Sequence, residues 1–253
     1  MTDLYVQRDQ PPGVPPLHLT GERTLPDVPE ENYWYRRHLV VYEWIAERVA
    51  GRHVVDVASG EGYGADVLAR RAGSVLGIEP NPDAYEHARL KYPRVRFRRD
   101  IAETFLEPCD AVVFLQTIEH VPDPHAVLTH FAEQLQPGGV AFVSTPNVLT
   151  LAPPGAEKSG NPWHVKEYHC DEFRALCEAH FASVELLGLF HARKLRLHQF
   201  AIEHLGWDAI HPRLGITKRF YDRFTPAIGV RDFALRPTRL ERALDFLAVC
   251  RTT

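Results

Sequence analysis

Residues 54–64, Val-Val-Asp-Val-Ala-Ser-Gly-Glu-Gly-Tyr-Gly, are the stretch that decides the fold of this 253-residue chain. The β-branched residues at its start predict a strand that is covered on both faces. The alternating glycines that follow predict a tight turn whose backbone can approach a ligand closely. A helix predicted to begin near Ala65 and Asp66 would direct unpaired N–H groups at an anionic group such as a carboxylate. The stretch therefore predicts an α/β fold with a cofactor site at this turn.

Two classes of cofactor are compatible with such a turn. Gly60-x-Gly62-x-x-Ala65 fits the dinucleotide fingerprint, with Glu79 at the end of the next predicted strand as a ligand of ribose hydroxyls. Asp56 favours the second class, because together with the glycines it resembles motif I of class I S-adenosylmethionine (SAM) methyltransferases. A non-catalytic binding or NAD(P)-sensing protein is the alternative outside enzymes, and titration with NAD and SAM separates the two.

Two later runs extend the resemblance to this methyltransferase family. Glu119 to Pro124 is similar to the family's "EHV.DP" run, and Leu135 to Asn147 to its "L.PGG...STPN" run. The resemblance implies a Rossmann-like α/β fold with a seven-stranded mixed sheet, whose last strand, Leu244 to Cys250, is antiparallel. It also implies that SAM is the cofactor. The cofactor-binding residues expected on this basis, together with helix residues near the turn, are Arg37, Asp56, Gly60, Gly62, Tyr63, Glu79, Asp100, Ile101 and Gln116.

Charge and composition exclude several partners. A formal net charge of −4 gives no electrostatic reason to expect nucleic-acid binding. No apolar run is long enough for a membrane span, and the four cysteines lack metal-site spacing. These features predict a cytoplasmic protein with free thiols.

The chain divides into an arm and one domain. Residues 1–29 contain six prolines and little periodic hydrophobicity, which predicts an extended N-terminal arm. Residues 30–253 form the predicted methyltransferase domain. Within it, residues 191–241 separate the sixth and seventh predicted strands by far more than a hairpin needs, which predicts a helical cap over the acceptor pocket. The alternative for this insertion is a dimerisation element, so a homodimer is possible.

Two histidines fall where open α/β sheets place their sites. His120 follows the fourth predicted strand and His164 the fifth. Hydroxyl acceptors are poor nucleophiles, so one histidine is predicted to be the general base. Glu119 could orient an imidazole, or Glu119 and His120 could ligate a metal such as Mg²⁺. Metal-dependent ubiquinone-pathway O-methyltransferases resemble this segment through a Glu-x-x-Glu-His cluster, whose first position here is Gln116.

The acceptor is predicted from a narrower resemblance. Gly21 to Asp27, Glu31 to His38 and Gly188 to His191, with the motifs above, resemble mycobacterial sugar O-methyltransferases that build methylmannose polysaccharides and methylglucose lipopolysaccharides. A mannose or glucose oligosaccharide is therefore the predicted acceptor, and a quinone-like phenol or other small metabolite is the alternative. The predicted acceptor-binding residues offer flat rings or hydroxyl partners: Trp163, Tyr168, His169, His191 and Trp207.

Overall fold

The computed structural model describes residues 4–8, 10–20, 23–153, 155–156 and 158–252. Gly21 and Glu22, which belong to one of the stretches quoted above, lie outside the described residues.

Parallel strands dominate the centre of the fold. The strands are β1 (Leu4–Tyr5), β2 (Leu17–His18), β3 (His53–Val57), β4 (Ser74–Ile78), β5 (Arg96–Arg98), β6 (Cys109–Leu115), β7 (Leu135–Pro146), β8 (Ser183–His191), β9 (Phe233–Arg236) and β10 (Asp245–Arg251).

Helices cover both faces of the sheet and fill the segment after β8. They are α1 (Asn32–Ala46), α2 (Tyr63–Leu68), α3 (Pro82–Lys91), α4 (Pro124–Gln134), α5 (Val148–Leu151), α6 (Cys170–Glu178), α7 (Arg193–Leu205), α8 (Trp207–Arg213) and α9 (Thr217–Phe224). Short 3-10 helices span Ile118–His120, Val230–Asp232 and Leu240–Arg242. None of the helices in the described ranges is long and apolar enough to cross a membrane.

The main sheet has eight strands in the order β5-β4-β3-β6-β7-β10-β8-β9. β10 runs antiparallel to both neighbours, as the sequence predicted for the last strand. The predicted number of seven strands is wrong. The additional strand, β9, pairs antiparallel with β8 and lies inside residues 191–241, which were predicted to be a helical cap. Three helices, α7 to α9, precede it there.

Alternating residues of the central strands pack into two separate hydrophobic layers. Val55 and Val57 of β3 face one layer, while Val54 faces the other. β6 behaves in the same way, with Val112 and Phe114 in the first layer. Because both faces of these strands are buried, their sequence is a continuous apolar run rather than an alternating one.

The N-terminal arm is packed against the domain. Its strands β1 and β2 pair antiparallel, and the buried side chains Leu17, Leu25 and Val28 contact Ala84 of α3. His87 of α3 binds the carbonyl of Pro15 through Nδ1 at 2.6 Å. These contacts place the end of the arm over the carboxyl edge of the parallel strands.

Candidate active site

The glycine turn after β3 contains three residues in left-handed conformation. Ala58, Gly60 and Gly62 have φ of 57°, 58° and 98°. α2 begins at Tyr63, two residues earlier than the sequence predicted. Gly62 is also required for packing, because a Cβ there would lie 2.8 Å from the Cβ of Ala88. The turn can therefore be this tight only with glycine at position 62.

Glu79, at the end of β4, ties the turn to the next strand. Its carboxylate accepts hydrogen bonds from the backbone N–H of Gly60 at 2.8 Å and of Asn81 at 2.9 Å. Burial is the main cause that raises its pKa, while these two bonds lower it. The carboxylate thus lies beside the backbone of the turn, where a ribose could meet it.

Asp56 is fully buried in β3. One oxygen accepts a hydrogen bond from the Tyr42 hydroxyl at 3.2 Å, and Oδ2 has no partner among the described residues. Burial raises the pKa of Asp56 from its usual 3.8 to about 8. A buried carboxyl oxygen without a partner suits a ligand that brings a donor or a positive charge.

We expect replacement of Asp56 by asparagine to make stability less dependent on pH. The native state keeps a proton on Asp56 that the unfolded chain releases above about pH 4, so the wild type loses stability as pH rises towards 8. Between pH 5 and pH 8 the variant should lose about 2–4 kcal/mol less than the wild type. Urea unfolding at the two pH values measures this difference. Equal losses in both proteins would contradict the raised pKa of Asp56 in the native state.

Two cavities meet above the turn. The smaller, about 90 Å³, is lined by Ser59, Gly60, Glu61 and Tyr63 of the turn, and by Tyr42. The larger, about 600 Å³, is lined by the ends of β6 and β7 and by the loop that contains Asn161 to His164. Four residues line both cavities: Arg23, Thr24, His38 and Gln116. A ligand on the turn therefore adjoins a molecule in the larger cavity.

Glu119, His120 and His164 come together at the larger cavity. One candidate ligand atom from each lies within 4.8 Å of the other two. The backbone carbonyl of Glu119 accepts hydrogen bonds from Val165 N at 2.8 Å and Lys166 N at 3.1 Å, which joins the two segments. The rings of His120 and His164 are 5.0 Å apart. The sequence prediction placed both histidines at this edge, and the structure brings them into contact.

Hydrogen bonds define the tautomers of both histidines. Nδ1 of His120 lies 2.9 Å from the carbonyl of Trp163, and Nδ1 of His164 lies 2.7 Å from the carboxylate of Glu167. Both partners only accept, so Nδ1 carries the proton in each neutral ring and Nε2 carries the lone pair. Asn161 donates to Nε2 of His164 at 3.0 Å. Nε2 of His164 therefore already accepts a hydrogen bond, and a proton or a metal ion there would have to replace the Asn161 amide.

Glu119 is the buried member of this cluster. It is 1% exposed, and its carboxyl accepts a hydrogen bond from the Thr145 hydroxyl at 3.2 Å. Burial raises the pKa of Glu119 to about 8. Two imidazoles and one carboxylate form a donor set that suits zinc, iron or manganese better than magnesium, which prefers oxygen ligands.

The remaining predicted cofactor residues lie in three separate places. Asp100 and Ile101 follow β5, where the Asp100 carboxylate accepts from Ile101 N at 2.9 Å and the Ile101 side chain is exposed. Gln116 lies between the cavities, with φ of 52° and its amide donating to Ser144. Arg37 instead forms a buried ion pair with Asp245 at 2.5 Å.

Only one of the predicted acceptor-binding residues lines the larger cavity, and that is Trp163. Tyr168 is 1% exposed and packs in the core against Phe173, so its ring cannot offer a face to a sugar. His169 is exposed at the start of α6, His191 lies at a separate cavity, and Trp207 packs on His211 and Phe220.

Sequence reasoning missed several residues that line the cavities. Arg23 and Thr24 come from the arm, and Thr24 lies 3.1 Å from the Tyr63 hydroxyl. Tyr42, the partner of Asp56, comes from α1. Arg23 and Thr24 do fall in the stretch from Gly21 to Asp27 quoted above for the narrower resemblance, whereas no sequence signal marks Tyr42 as the partner of Asp56.

Comparisons with known proteins identify the family of the chain. A family model described as "Methyltransferase domain" matches residues 33–199. A probable S-adenosylmethionine-dependent methyltransferase from Mycolicibacterium smegmatis is 44% identical over 183 residues, which cover 71% of each chain. A ubiquinone biosynthesis O-methyltransferase from Pseudomonas savastanoi is 37% identical over 128 residues, covering 45% of this chain and 55% of the relative.

A solved structure shares the architecture. A SAM-dependent methyltransferase from Thermotoga maritima, described as a possible histamine N-methyltransferase, superimposes with a TM-score of 0.60 at 17% identity. The superposition covers 89% of this chain and 96% of the other. At this identity the likeness concerns the fold alone.

Proposed function

Because this chain belongs to the SAM-dependent methyltransferases, we propose that it transfers a methyl group to a hydroxyl of a mannose or glucose oligosaccharide. The proposal depends chiefly on one observation. The cluster of Glu119, His120 and His164 lines a cavity of about 600 Å³ that adjoins the glycine turn. This volume is within the range of small-ligand sites. The exposed indole of Trp163 supplies a flat apolar face at the same cavity.

The glycine turn and the residues beside it fit the cofactor. Of the predicted cofactor residues, Gly60, Tyr63 and Gln116 line the smaller cavity, and the four residues given roles below lie beside it rather than in its wall. When bound, SAM supplies an electrophilic methyl group on a sulfonium. We propose that Glu79 binds the ribose, that Asp100 and Ile101 contact the adenine, and that Asp56 faces the methionine amino group. Oδ2 of Asp56 has no partner in the described structure, and a Cβ built at Gly60 would meet no atom within 4 Å, so a ligand can approach the backbone there.

The histidines manage the proton of the acceptor. Methyl transfer leaves a proton on the attacking oxygen, and a base within hydrogen-bond distance removes it. Nε2 of His120 has the lone pair for this step because Nδ1 binds the Trp163 carbonyl. A divalent metal held by Glu119, His120 and His164 would instead lower the pKa of the hydroxyl.

Titration with S-adenosylhomocysteine and with NAD tests the cofactor assignment. We expect micromolar binding of the former only. The ammonium group of S-adenosylhomocysteine favours the ionised form of Asp56. Binding below pH 8 should therefore release the Asp56 proton to the buffer. The observed enthalpy should then vary with the ionisation enthalpy of the buffer, and should vary less in the Asp56→Asn variant. A wild-type enthalpy that is the same in every buffer would contradict the role of Asp56.

A transfer assay with radiolabelled SAM tests the acceptor. We expect label in mannose or glucose oligosaccharides, and we would compare magnesium, manganese and a chelator in parallel. A phenolic acceptor is the second candidate, favoured by the partial similarity to a ubiquinone biosynthesis O-methyltransferase. Labelled phenols without labelled sugars would reject the sugar proposal and support the second candidate.

A further inference from the structure

Four arginines surround a separate cavity at the other end of the sheet. Arg196 of α7, Arg236 of β9, and Arg239 and Arg242 at the last 3-10 helix line a space of about 480 Å³. This cavity shares no lining residue with the glycine-turn cavity or with the cavity of the histidine cluster. It is therefore a distinct place on the molecule, which the proposed methyl transfer does not use.

These arginines have no acidic partners among the described residues. In the ranges that the structure describes, none of the four guanidinium groups forms an ion pair with a carboxylate, whereas Arg89 and Arg94 elsewhere do. Of the described residues on the cavity wall, Glu203 alone carries a carboxylate, and it accepts a hydrogen bond from Gln199. Four positive charges thus face one negative charge within a single concave surface.

The backbone and the apolar wall add to this arrangement. Arg239 has a φ of 59°, a left-handed conformation that non-glycine residues adopt at a cost and that recurs at ligand sites. Phe190 and Phe200 also line the cavity, and the guanidinium of Arg236 lies 5.9 Å from the Phe190 ring centre. An anionic group attached to an apolar or ring-shaped body would match both kinds of wall.

We propose that this cavity binds the phosphate or carboxylate group of a small anionic ligand. Guanidinium groups bind both anions through paired N–H donors, and a concave wall lined by one sign of charge raises the local concentration of the opposite ion. His191 on the same wall is held by Tyr33 and Gln199, and burial lowers its pKa, so at neutral pH it adds no positive charge to that of the arginines. The proposal does not depend on the identity of the methyl acceptor.

Binding of inorganic phosphate and of acetate, each at constant ionic strength, tests the proposal. We expect saturable millimolar binding of at least one probe by the wild type, and at least a tenfold loss in the Arg239→Gln/Arg242→Gln variant. The matched control is Arg213→Gln/Arg219→Gln, which removes two exposed arginines of α8 and α9 outside this cavity. If the first variant does not fold, Arg196→Gln replaces it. Whether phosphate or acetate binds more tightly identifies the kind of anion.

Two results would overturn the proposal. The first is an absence of saturable binding, or an equal loss in the test and control variants, since either would mean general surface charge only. The second is competition between the probe and saturating S-adenosylhomocysteine, which would place the anion in the cofactor cavity instead. Because the two cavities share no residue, we expect the phosphate affinity to be unchanged by S-adenosylhomocysteine.

Discussion

Replacing His120 by glutamine is expected to lower the rate constant of methyl transfer to a hydroxyl acceptor by about 10²–10⁴-fold, the usual contribution of a general base. Glutamine keeps a polar side chain of similar length but cannot accept the proton. The dissociation constant of S-adenosylhomocysteine should stay within about twofold, because His120 lines the larger cavity and not the glycine-turn cavity. Single-turnover assays with radiolabelled SAM measure the rate constant.

The companion variants identify how the cluster works. His164→Gln should reduce the rate constant less than His120→Gln if His120 is the base, because Asn161 already donates to Nε2 of His164. If all three residues hold a metal, Glu119→Gln, His120→Gln and His164→Gln should lose activity equally, and a chelator should inactivate the wild type. His180→Gln is the matched control, since this half-buried histidine contacts His125 and Thr129 instead. Full activity in the His120→Gln/His164→Gln double variant would reject the mechanism.

The strands and the cofactor turn were predictable because their sequence signals are local. An apolar β-branched run followed by alternating glycines determines β3 and the turn within a dozen residues. For His120 and His164 the sequence predicted a position at the same edge of the sheet, but not the contact between their rings. What brings the rings together is the pairing of the Glu119 carbonyl with Val165 and Lys166, which involves residues more than forty positions apart.

The errors have a common physical origin. Tyr168 was predicted to offer its ring to the acceptor, but it lies in the core, where its own backbone forms a bridge to Asn147. β9 was missed because it is only four residues long and partly exposed, and only its pairing with β8 makes it a strand. Such long-range pairing is not encoded in local propensity.

Breaking the ion pair between Arg37 and Asp245 is expected to have the largest effect on stability. The pair is buried, with side chains 6% and 5% exposed, and Arg37 also donates to the carbonyl of Leu244 at 3.0 Å. Asp245 raises the pKa of the Arg37 guanidinium, which stays charged. Asp245→Asn therefore leaves a buried charge without a counter-ion, and we expect a loss of about 3–5 kcal/mol in the free energy of unfolding.

A double-mutant cycle measured by urea unfolding tests this expectation. Arg37→Met should cost a similar amount, while Arg37→Met/Asp245→Leu should cost much less than the sum, since an apolar pair needs no compensation. The exposed pair of Arg71 and Glu47, whose side chains are 58% and 62% exposed, is the control, and breaking it should cost less than about 1 kcal/mol. If Asp245→Asn left stability intact and instead weakened S-adenosylhomocysteine binding tenfold, Arg37 would serve the cofactor, as its sequence position first suggested.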